Sequence, residues 1–538
     1  MFQRTIWLAV MLESMVSAAA PAQPVADDAV VVLPSGIAEI DVEKRPYASY
    51  VAECLDLLMS HGTDRYGRVQ KPLLVTILDV RSRACPESPP ERSAPWRGQW
   101  RTCFWKPRGS DLLVDQSTVE VFYLMAKLRG QTRYAQFADR YQRAVLELTD
   151  EKGFFWWGWH RFYDVFDDVP SGSHGNSHEI HVNLPRWNPL WQIDPAATQR
   201  ELEAIWQWHV IDKRTGEHNR HGDGQRGCDF AMSGGEFVYA LAFLSQKTGQ
   251  PVWLQRAELV ADYHWRSRNP VTGLVPNQPS AGAKRFDGSH FDTSISGLLC
   301  YNLLKAYELT GVEKFRDQAL TYLRGYAKHG YDPASGRFWG SLRLDGTPEP
   351  GPRTVGGYSQ YEPRGLIDLW QPYQLGYEHP LATAQCYAYA YHLTGDAGML
   401  AAAQEWADCI RRAPPSRGCQ EKQAWYADYA RRFAPHGTFA DLYGRTISLF
   451  VHLYALTGQQ AYLDDARSTA REAVAKLYYQ GLFRGHPAKP FYSSVDGVGF
   501  LLYGLVQLDV VLKQPKTVVG AKAIPLGVGE GTMGFDNW

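Results

Sequence analysis

Five segments of the 538-residue chain repeat one pattern, and this repeat constrains the fold more than any other feature of the sequence. In each segment an apolar, helix-like stretch ends at a glycine, a short turn follows, and an aromatic residue or leucine opens a second helix rich in alanine. The five glycines are Gly130, Gly249, Gly311, Gly395 and Gly458. Glycine relieves the left-handed conformation in which many helices end, and the following stretch has a 3.6-residue period. The repeat therefore predicts a series of helical hairpins.

The spacing of these glycines predicts how the hairpins are arranged. The intervals are 119, 62, 84 and 63 residues, which fit a unit of roughly 60 residues with one further unit inside the first gap. We predict an all-α fold, an (α/α)6 or (α/α)7 toroid, with minor β-hairpins at Lys71–Val80 and Arg337–Leu344. An open solenoid is the alternative. The closed ring is favoured because the long loops are rich in aromatic and titratable residues, as a central cleft requires.

The two ends of the chain differ from this repetitive middle. Residues 1–22 fit a signal peptide, with Arg4 before an apolar run from Ile6 to Val16 and the small residues Ala20 and Ala22 at its end. An amphipathic N-terminal helix is the other interpretation. No later segment reaches the 18 or so apolar residues of a membrane span. We therefore expect a periplasmic or secreted protein with no membrane contact, one toroid at 23–513 and an irregular tail at 514–538.

The net charge and the amino-acid composition limit the kinds of molecule that the protein is expected to bind. Lys and Arg number 56 against 57 Asp and Glu, so the net charge of −1 excludes nucleic-acid binding through a bulk positive field. Eighteen Trp residues suit a sugar-binding cleft, although most tryptophans pack in cores. We expect a glycan partner, no nucleic acid and a monomeric state.

The eight cysteines are consistent with export but do not establish it. Cys54 and Cys300 lie in apolar helical patterns and are expected to be buried thiols. In an oxidising compartment Cys85 could pair with Cys103, and Cys409 could pair with Cys419. The absence of a C-x-x-C motif disfavours a thiolate zinc site.

Titratable residues are densest between Trp157 and Asp229. Seven of the 16 histidines fall there: His160, His174, His178, His181, His209, His218 and His221. Histidines crowded with Glu and Asp in Gly-rich loops are typical of a metal or acid–base site, although any one of them could be structural. The segment His178-Glu179-x-His181 lacks the second histidine at i+4 that an H-E-x-x-H zinc site needs.

An ordered set within this region carries a resemblance. His160 comes first, Glu179 follows it, and His221 comes last, directly behind Arg220. On a helical toroid with an export signal, this order and spacing resemble the family 2 polysaccharide lyases, which are pectate lyases on an (α/α) barrel. The resemblance implies His160, Glu179 and His221 as ligands of Mn, or of Zn, Ni or Co, and Arg220 as the catalytic base.

The residue types suit this chemistry. A lyase removes the C5 proton of a uronate, and a metal on the neighbouring carboxylate stabilises the charge that develops. Two imidazoles and one carboxylate suit Mn or Zn better than calcium, which prefers oxygen ligands. Because guanidinium is almost always protonated, Arg220 could instead bind the uronate carboxylate in a bidentate manner while another group takes the proton.

Further contacts are expected on other loops. Arg285 and Arg364 could bind uronate carboxylates, with surface ion pairing as the alternative. Trp159 and Trp187 could stack on sugar rings, with core packing as the alternative. Asp287, Asp292 and Asp496 precede predicted helices, where capping is the usual role.

The sequence therefore favours a metal-dependent polysaccharide lyase that cleaves a uronate-containing glycan, above all pectate, by β-elimination. One alternative is a glycoside hydrolase on the same toroid, such as an unsaturated uronyl hydrolase. It would use a pair of carboxylates and no metal, chosen among Glu179, Asp223, Asp287, Asp292 and Asp496. A sugar epimerase with two histidines as acid and base is a third interpretation.

Overall fold

The computed structural model of the chain describes residues 32–34, 36–88, 106–158, 160–172, 178–180, 185–280, 288–351, 363–370, 378–414 and 427–513. The predicted signal peptide at 1–22 and the predicted tail at 514–538 lie outside these ranges.

Helices make up most of the described chain. In chain order they are α1 (Tyr47–His61), α2 (Leu112–Arg129), α3 (Thr132–Leu146), α4 (Trp187–Ile193), α5 (Pro195–Ala204), α6 (Ala231–Thr248), α7 (Pro251–Arg266), α8 (Cys300–Thr310), α9 (Glu313–Gly330), α10 (Pro380–Thr394), α11 (Ala397–Arg412), α12 (Ala427–Arg432), α13 (Ala440–Thr457), α14 (Gln460–Leu477) and α15 (Val498–Lys513). Single π-helical turns extend α5 at Ile205–His209 and precede α8 at Ile295–Leu299.

The strands are short and pair antiparallel. They are β1 (Ile77–Asp79), β2 (Gly109–Ser110), β3 (Arg161–Asp164), β4 (Val169–Gly172), β5 (Val210–Asp212), β6 (Glu217–His218), β7 (Phe291–Asp292), β8 (Tyr331–Asp332), β9 (Arg337–Phe338), β10 (Ser341–Leu342), β11 (Tyr478–Tyr479), β12 (Leu482–Phe483) and β13 (Phe491–Ser493). The pairs are β1 with β13, β7 with β10, β5 with β6, β8 with β9 and β11 with β12, and β2, β3 and β4 form a three-stranded sheet. The segments predicted as minor hairpins contribute β1, β9 and β10, but each of these strands pairs with a strand outside its segment, so neither segment forms a hairpin by itself.

The inner helices form a closed ring. Helix α2 packs against α15, and the contacts continue from α15 through α13, α10 and α8 to α6. The short helix α4 closes the ring: Arg186, which precedes it, lies 2.9 Å from the Glu120 carboxylate of α2. On its other side Asn188 accepts a hydrogen bond of 2.8 Å from Lys247 of α6. The closed toroid is therefore confirmed over the open solenoid.

The described helices form seven hairpins. Helices α2, α4, α6, α8, α10 and α13 are each followed by an outer helix, and α1, from the start of the chain, covers α15. The hairpin of α4 and α5 is the unit predicted inside the first long gap. Its inner helix spans only Trp187–Ile193 and has no glycine at its end, which is why the repeat is not visible there.

Burial explains the two layers of helices. The inner helix α6 is buried along most of its length, whereas the outer helix α3 buries Tyr134, Phe137, Ala138 and Tyr141, which recur on one face. The five glycines of the repeat end α2, α6, α8, α10 and α13 with φ values of 63°, 67°, 71°, 69° and 69°. These left-handed ends turn each inner helix into its outer partner, as the sequence predicts.

Two further predictions concern the cysteines and the absence of membrane-spanning helices. Cys54 and Cys300 are buried thiols, as predicted. Cys85 and Cys409 are also buried thiols, and their possible partners Cys103 and Cys419 lie outside the described residues. Across the described ranges, no helix has both the length and the apolarity to cross a bilayer.

Candidate metal centre

A short antiparallel bridge brings two of the predicted residues together in front of α6. Glu179 and His221 are bridge partners, and the Gly222 backbone N–H donates a 2.9 Å hydrogen bond to the His178 carbonyl. The segments 178–180 and 219–222 therefore lie side by side, although α4, α5 and the pair of β5 and β6 separate them in the sequence.

His160 reaches this bridge because the backbone near it packs closely against the Glu179 segment. Gly158 has φ of 120°, and a Cβ at this position would lie 2.7 Å from the Glu179 carbonyl oxygen. Any side chain would force the two segments apart, so this glycine is required for the approach. Directly after His160, β3 pairs with β2 and β4, which fixes the histidine at the edge of a small sheet.

The three side chains converge on one point. His160 Nε2 lies 2.9 Å from Glu179 Oε2, and His221 Nε2 lies 3.3 Å from the same oxygen. One ligand atom from each residue falls within 4.8 Å of the other two. The Glu179 side chain is 3% exposed, and those of His160 and His221 are 16% and 13% exposed. The cluster is thus buried on the carboxylate side and accessible on the imidazole side.

Arg220 binds the other oxygen of the same carboxylate. Its Nε lies 2.8 Å from Glu179 Oε1, and its guanidinium lies over the Phe230 ring, 4.6 Å from the centroid. The Arg220 backbone N–H donates a 3.0 Å hydrogen bond to the Cys228 carbonyl. Arg220 and His221 are neighbours in the chain, so one backbone segment delivers both a cation and an imidazole to Glu179.

These contacts set the protonation of the cluster. Burial by itself raises the pKa of the Glu179 carboxyl, but the charges of Arg220 and His221 outweigh burial and hold this pKa well below its usual range. Burial lowers the pKa of His221, whereas the Glu179 carboxylate and a hydrogen bond with Cys228 raise it above its usual value. Glu179 is therefore ionised at neutral pH.

The donor set fits a divalent ion of the first transition row. Two imidazole nitrogens and one ionised carboxylate are the ligands that Mn, Zn, Ni and Co accept, and three protein ligands leave coordination positions open. Glu179 Oε2 is buried, and two imidazole nitrogens face it at 2.9 and 3.3 Å. An ion at this point would be bound by this oxygen and by both imidazoles.

A second layer of buried polar groups holds both segments. His178 Nδ1 lies 3.0 Å from His209 Nε2, and His209 Nδ1 lies 2.8 Å from the Asn219 carbonyl. This imidazole pair therefore links the residue before Glu179 to the residue before Arg220. His178 also stacks on Phe154, with ring centroids 4.0 Å apart.

Glu201 of α5 completes this second layer. His178 Nε2 lies 3.1 Å from Glu201 Oε1, which accepts a 3.0 Å hydrogen bond from the Trp157 indole N–H. Burial raises the pKa of Glu201 to about 8. The sequence analysis did not identify Glu201. The sequence feature that could have identified it is a glutamate on the apolar face of an amphipathic helix, where an unpaired carboxylate would destabilise the fold.

Glu236 of α6 is a second residue that the sequence analysis missed. It is 3% exposed, and neither carboxyl oxygen has a hydrogen-bond partner among the described residues. Burial raises its pKa well above the usual range, and the charge of Glu179 raises this pKa further. The protein therefore has a second buried carboxyl group, with a raised pKa, within electrostatic reach of the metal centre.

The other predicted contacts have different outcomes. Arg364 is half-buried and lines a polar cavity. Trp187 is 1% exposed and packs edge-on against Trp157, so the prediction of a sugar platform at Trp187 is wrong: its ring has no free face. Trp159, Arg285 and Asp287 lie outside the described residues, as do His174 and His181.

Asp292 and Asp496, two of the other candidate carboxylates, bind partners within the protein. Asp292 accepts a 2.9 Å hydrogen bond from the Ser294 backbone N–H, which confirms its predicted capping role. The Asp496 carboxylate instead pairs with Lys489 at 2.7 Å, with both side chains buried.

Comparison with known proteins confirms the resemblance at this site. Residues 105–229 match the family model of the periplasmic pectate lyases, and this span contains His160, Glu179, Arg220 and His221. A pectate disaccharide-lyase of Dickeya dadantii (strain 3937) is 25% identical over 207 residues, which cover 33% of this chain and 38% of the relative. The chain thus matches less than half the length of this curated relative.

Similar solved structures include a GH76 α-mannanase of Bacteroides thetaiotaomicron and a cellobiose 2-epimerase of Bacillus thermoamylovorans. The first is 9% identical with a TM-score of 0.44 and covers 89% of this chain and 99% of its own. The second is 9% identical with a TM-score of 0.43, and the match covers 85% of this chain and 98% of the epimerase.

Proposed function

We propose that this protein is a metal-dependent polysaccharide lyase that cleaves a uronate-containing glycan, above all pectate, by β-elimination. The observation that carries the proposal is the convergence of His160, Glu179 and His221 on one point, with Arg220 on the same carboxylate. The match of residues 105–229 to the periplasmic pectate lyases supports the substrate class.

His160, Glu179 and His221 would hold the divalent ion, with Mn as the first candidate and Zn, Ni or Co as others. When bound, such an ion withdraws charge from a uronate carboxylate and makes the neighbouring C5–H more acidic. The low pKa of Glu179 keeps this residue in the anionic form that a cation needs. The accessible side of the two imidazoles leaves room for the substrate carboxylate.

Arg220 would act on the substrate beside these ligands. Glu179 and Phe230 hold its guanidinium against the metal centre. As the base it would take the C5 proton, after which the electron pair forms the C4–C5 double bond and expels the glycosidic oxygen at C4. In the alternative role, it would bind the uronate carboxylate and another group would take the proton.

Hydrolysis by a carboxylate pair has less support. Asp292 and Asp496 are 0% and 1% exposed, and both bind partners inside the fold. Glu179 is already surrounded by two imidazoles and a guanidinium. A hydrolase needs two carboxyl groups that flank a bond in an open cleft.

The test is incubation of the protein with polygalacturonate and Mn while the ultraviolet absorbance of an unsaturated uronate is followed. We expect product formation that a chelator abolishes and added Mn restores, and the variant His221→Ala should be inactive. A new reducing end without the double bond would indicate hydrolysis. Activity that survives both chelation and His221→Ala would refute the metal role.

The same proposal includes the compartment and the assembly state. The leader-like residues 1–22 and the periplasmic family match support export, and mass spectrometry of the protein purified from a periplasmic extract would show whether residues 1–22 are removed. We propose a monomer, and light scattering coupled to size exclusion would measure it.

A further inference from the structure

A polar cavity lies at the loops that precede α8 and α10, outside the metal centre. Its volume is about 360 Å³, and His290, Ser341, Arg343, Glu349 and Arg364 are among the residues that line it. The cavity takes no part in the chemistry described above.

The backbone around Arg364 is fixed on both sides. The Ser341 hydroxyl donates a hydrogen bond to the carbonyl of Pro363. The Gly365 N–H donates to the Glu349 carbonyl at 2.9 Å, and the Gly365 carbonyl accepts from the Gly340 N–H, also at 2.9 Å. The backbone on both sides of Arg364 is therefore held in place, and little of its entropy would be lost when a ligand binds there.

The cavity contains one positive charge that has no partner among the described residues. Arg343 pairs with Glu349 at 2.6 Å, so these two charges offset each other. Arg364 makes no ion pair or hydrogen bond with any residue in the described ranges. A half-buried guanidinium with a fixed backbone is a bidentate site for a carboxylate. The His290 imidazole, which also lines the cavity, can bind a sugar hydroxyl.

A series of backbone hydrogen bonds connects this cavity to the metal centre. The Ala231 N–H at the start of α6, just after the Arg220 loop, donates to the Asn277 carbonyl at 2.8 Å. The Asn277 N–H in turn donates to the His290 carbonyl at 2.8 Å. Next to His290, Asp292 of β7 pairs with Ser341 of β10. Both sites therefore belong to the loops before successive inner helices, at the same end of the toroid.

We infer that this cavity is a second uronate subsite, in which Arg364 binds the carboxylate of another sugar unit of the glycan held at the metal centre. The inference rests on the proposed function for its substrate class. A polymer with one carboxylate per sugar presents such groups along its length. A subsite one or two hairpins away from the metal centre along the ring would therefore bind long acidic chains more tightly than short ones.

The experiment measures binding and turnover separately. Calorimetry in the presence of a chelator, where no cleavage is expected, would compare tetragalacturonate with a neutral galactose tetramer. For Arg364→Gln we expect about 10- to 100-fold weaker binding of the acidic tetramer and unchanged weak binding of the neutral one. Arg364→Lys should be intermediate because it keeps the charge but loses the fork. Arg214→Gln, at an 88% exposed arginine, is the matched control.

Steady-state turnover adds a second readout. In Arg364→Gln, KM for polygalacturonate should rise, and this rise should exceed any fall in kcat for the same substrate, as expected for a residue that binds a sugar other than the reacting one. Wild-type affinity in Arg364→Gln, or a wild-type protein that binds neither tetramer, would overturn the subsite. Binding that depends on Arg364 in a protein that forms no unsaturated product would support the subsite and refute the proposed function instead.

Discussion

Glu179 and Asp496 are both almost completely buried, and each lies just before an inner helix of the ring, yet their surroundings differ. Glu179 faces two imidazoles and a guanidinium that remain partly exposed. Asp496 is paired with Lys489 at 2.7 Å, and both side chains are at most 2% exposed. Near this pair, Asp115 accepts hydrogen bonds from Tyr141 and from Ser494. We refer to Asp115, Lys489 and Asp496 as the structural cluster.

The difference shows how a functional charge cluster is distinguished from a structural one. In the structural cluster each carboxylate has its donors within the protein, and solvent has no access to it. At the metal centre Glu179 Oε2 faces two imidazole nitrogens, and these imidazoles and the Arg220 guanidinium are 13% to 16% exposed. A buried carboxylate is common to the two clusters. What separates them is that the neighbours of Glu179 are themselves metal ligands and can be reached by an external cation.

The largest expected effect is at the metal centre. Glu179→Gln removes the anionic ligand and leaves Arg220 and His221 without their shared counter-ion. We expect lyase activity to fall by at least about 10³-fold, with Mn affinity lost in the same variant. Lyase assays and calorimetry with Mn would measure the two losses. Full Mn binding by Glu179→Gln would contradict the assignment of the site.

Substitutions in the structural cluster should change the stability of the protein rather than its chemistry. Lys489→Met leaves the Asp496 carboxylate buried without its cation, and we expect unfolding to become easier by about 3–5 kcal/mol. The double variant Lys489→Met/Asp496→Leu should recover most of this loss, because it removes both charges. Denaturant titration measures stability, and Mn affinity should stay at the wild-type value. A selective loss of Mn affinity would show that the two clusters are not separate.

Much of the scaffold could be predicted because its signals are local. The glycine at the end of an inner helix and the amphipathic stretch after it are adjacent in the sequence, so the repeat is visible in one short window. The order of His160, Glu179 and Arg220-His221 was also visible, and the structure brings these residues together. The hairpin of α4 and α5 was placed only by spacing, because its short inner helix lacks the glycine.

The contacts that hold the metal ligands in place could not be predicted, because they join segments that are distant in the sequence. Glu201 contacts Phe155, Trp157 and His178 across two different loops. Nothing in the residues next to Glu201 indicates these partners. The prediction for Trp187 was wrong for a related reason: a tryptophan at the start of a short helix has the same local sequence whether its ring faces a cleft or the core. Only the packing of Trp157 against it decides.

The pH dependence of stability can sharpen the comparison further. The pKa of Glu201 is raised to about 8 in the folded protein, so the folded state keeps a proton that the unfolded chain releases near pH 4.5. Stability from this group is therefore complete below about pH 4.5 and declines as pH rises towards 8, by up to about 1.4 kcal/mol per unit. Glu201→Gln should remove this slope. Urea titrations at pH 5, 6 and 7 would measure it, and an unchanged slope would show that Glu201 is ionised in the fold.

The smallest expected effect concerns the layer behind the metal ligands. His178→Ala breaks the imidazole pair that links the Glu179 segment to the Asn219 carbonyl, and we expect Mn affinity to fall by about 10- to 100-fold. His486→Ala is the control, since His486 is also a fully buried histidine but contacts Tyr429 on another part of the ring. Both variants lose a buried imidazole and should lose similar stability, so only a positioning role separates their Mn affinities. Equal Mn affinities in the two variants would mean that the bridge between Glu179 and His221 holds the ligands without this second layer.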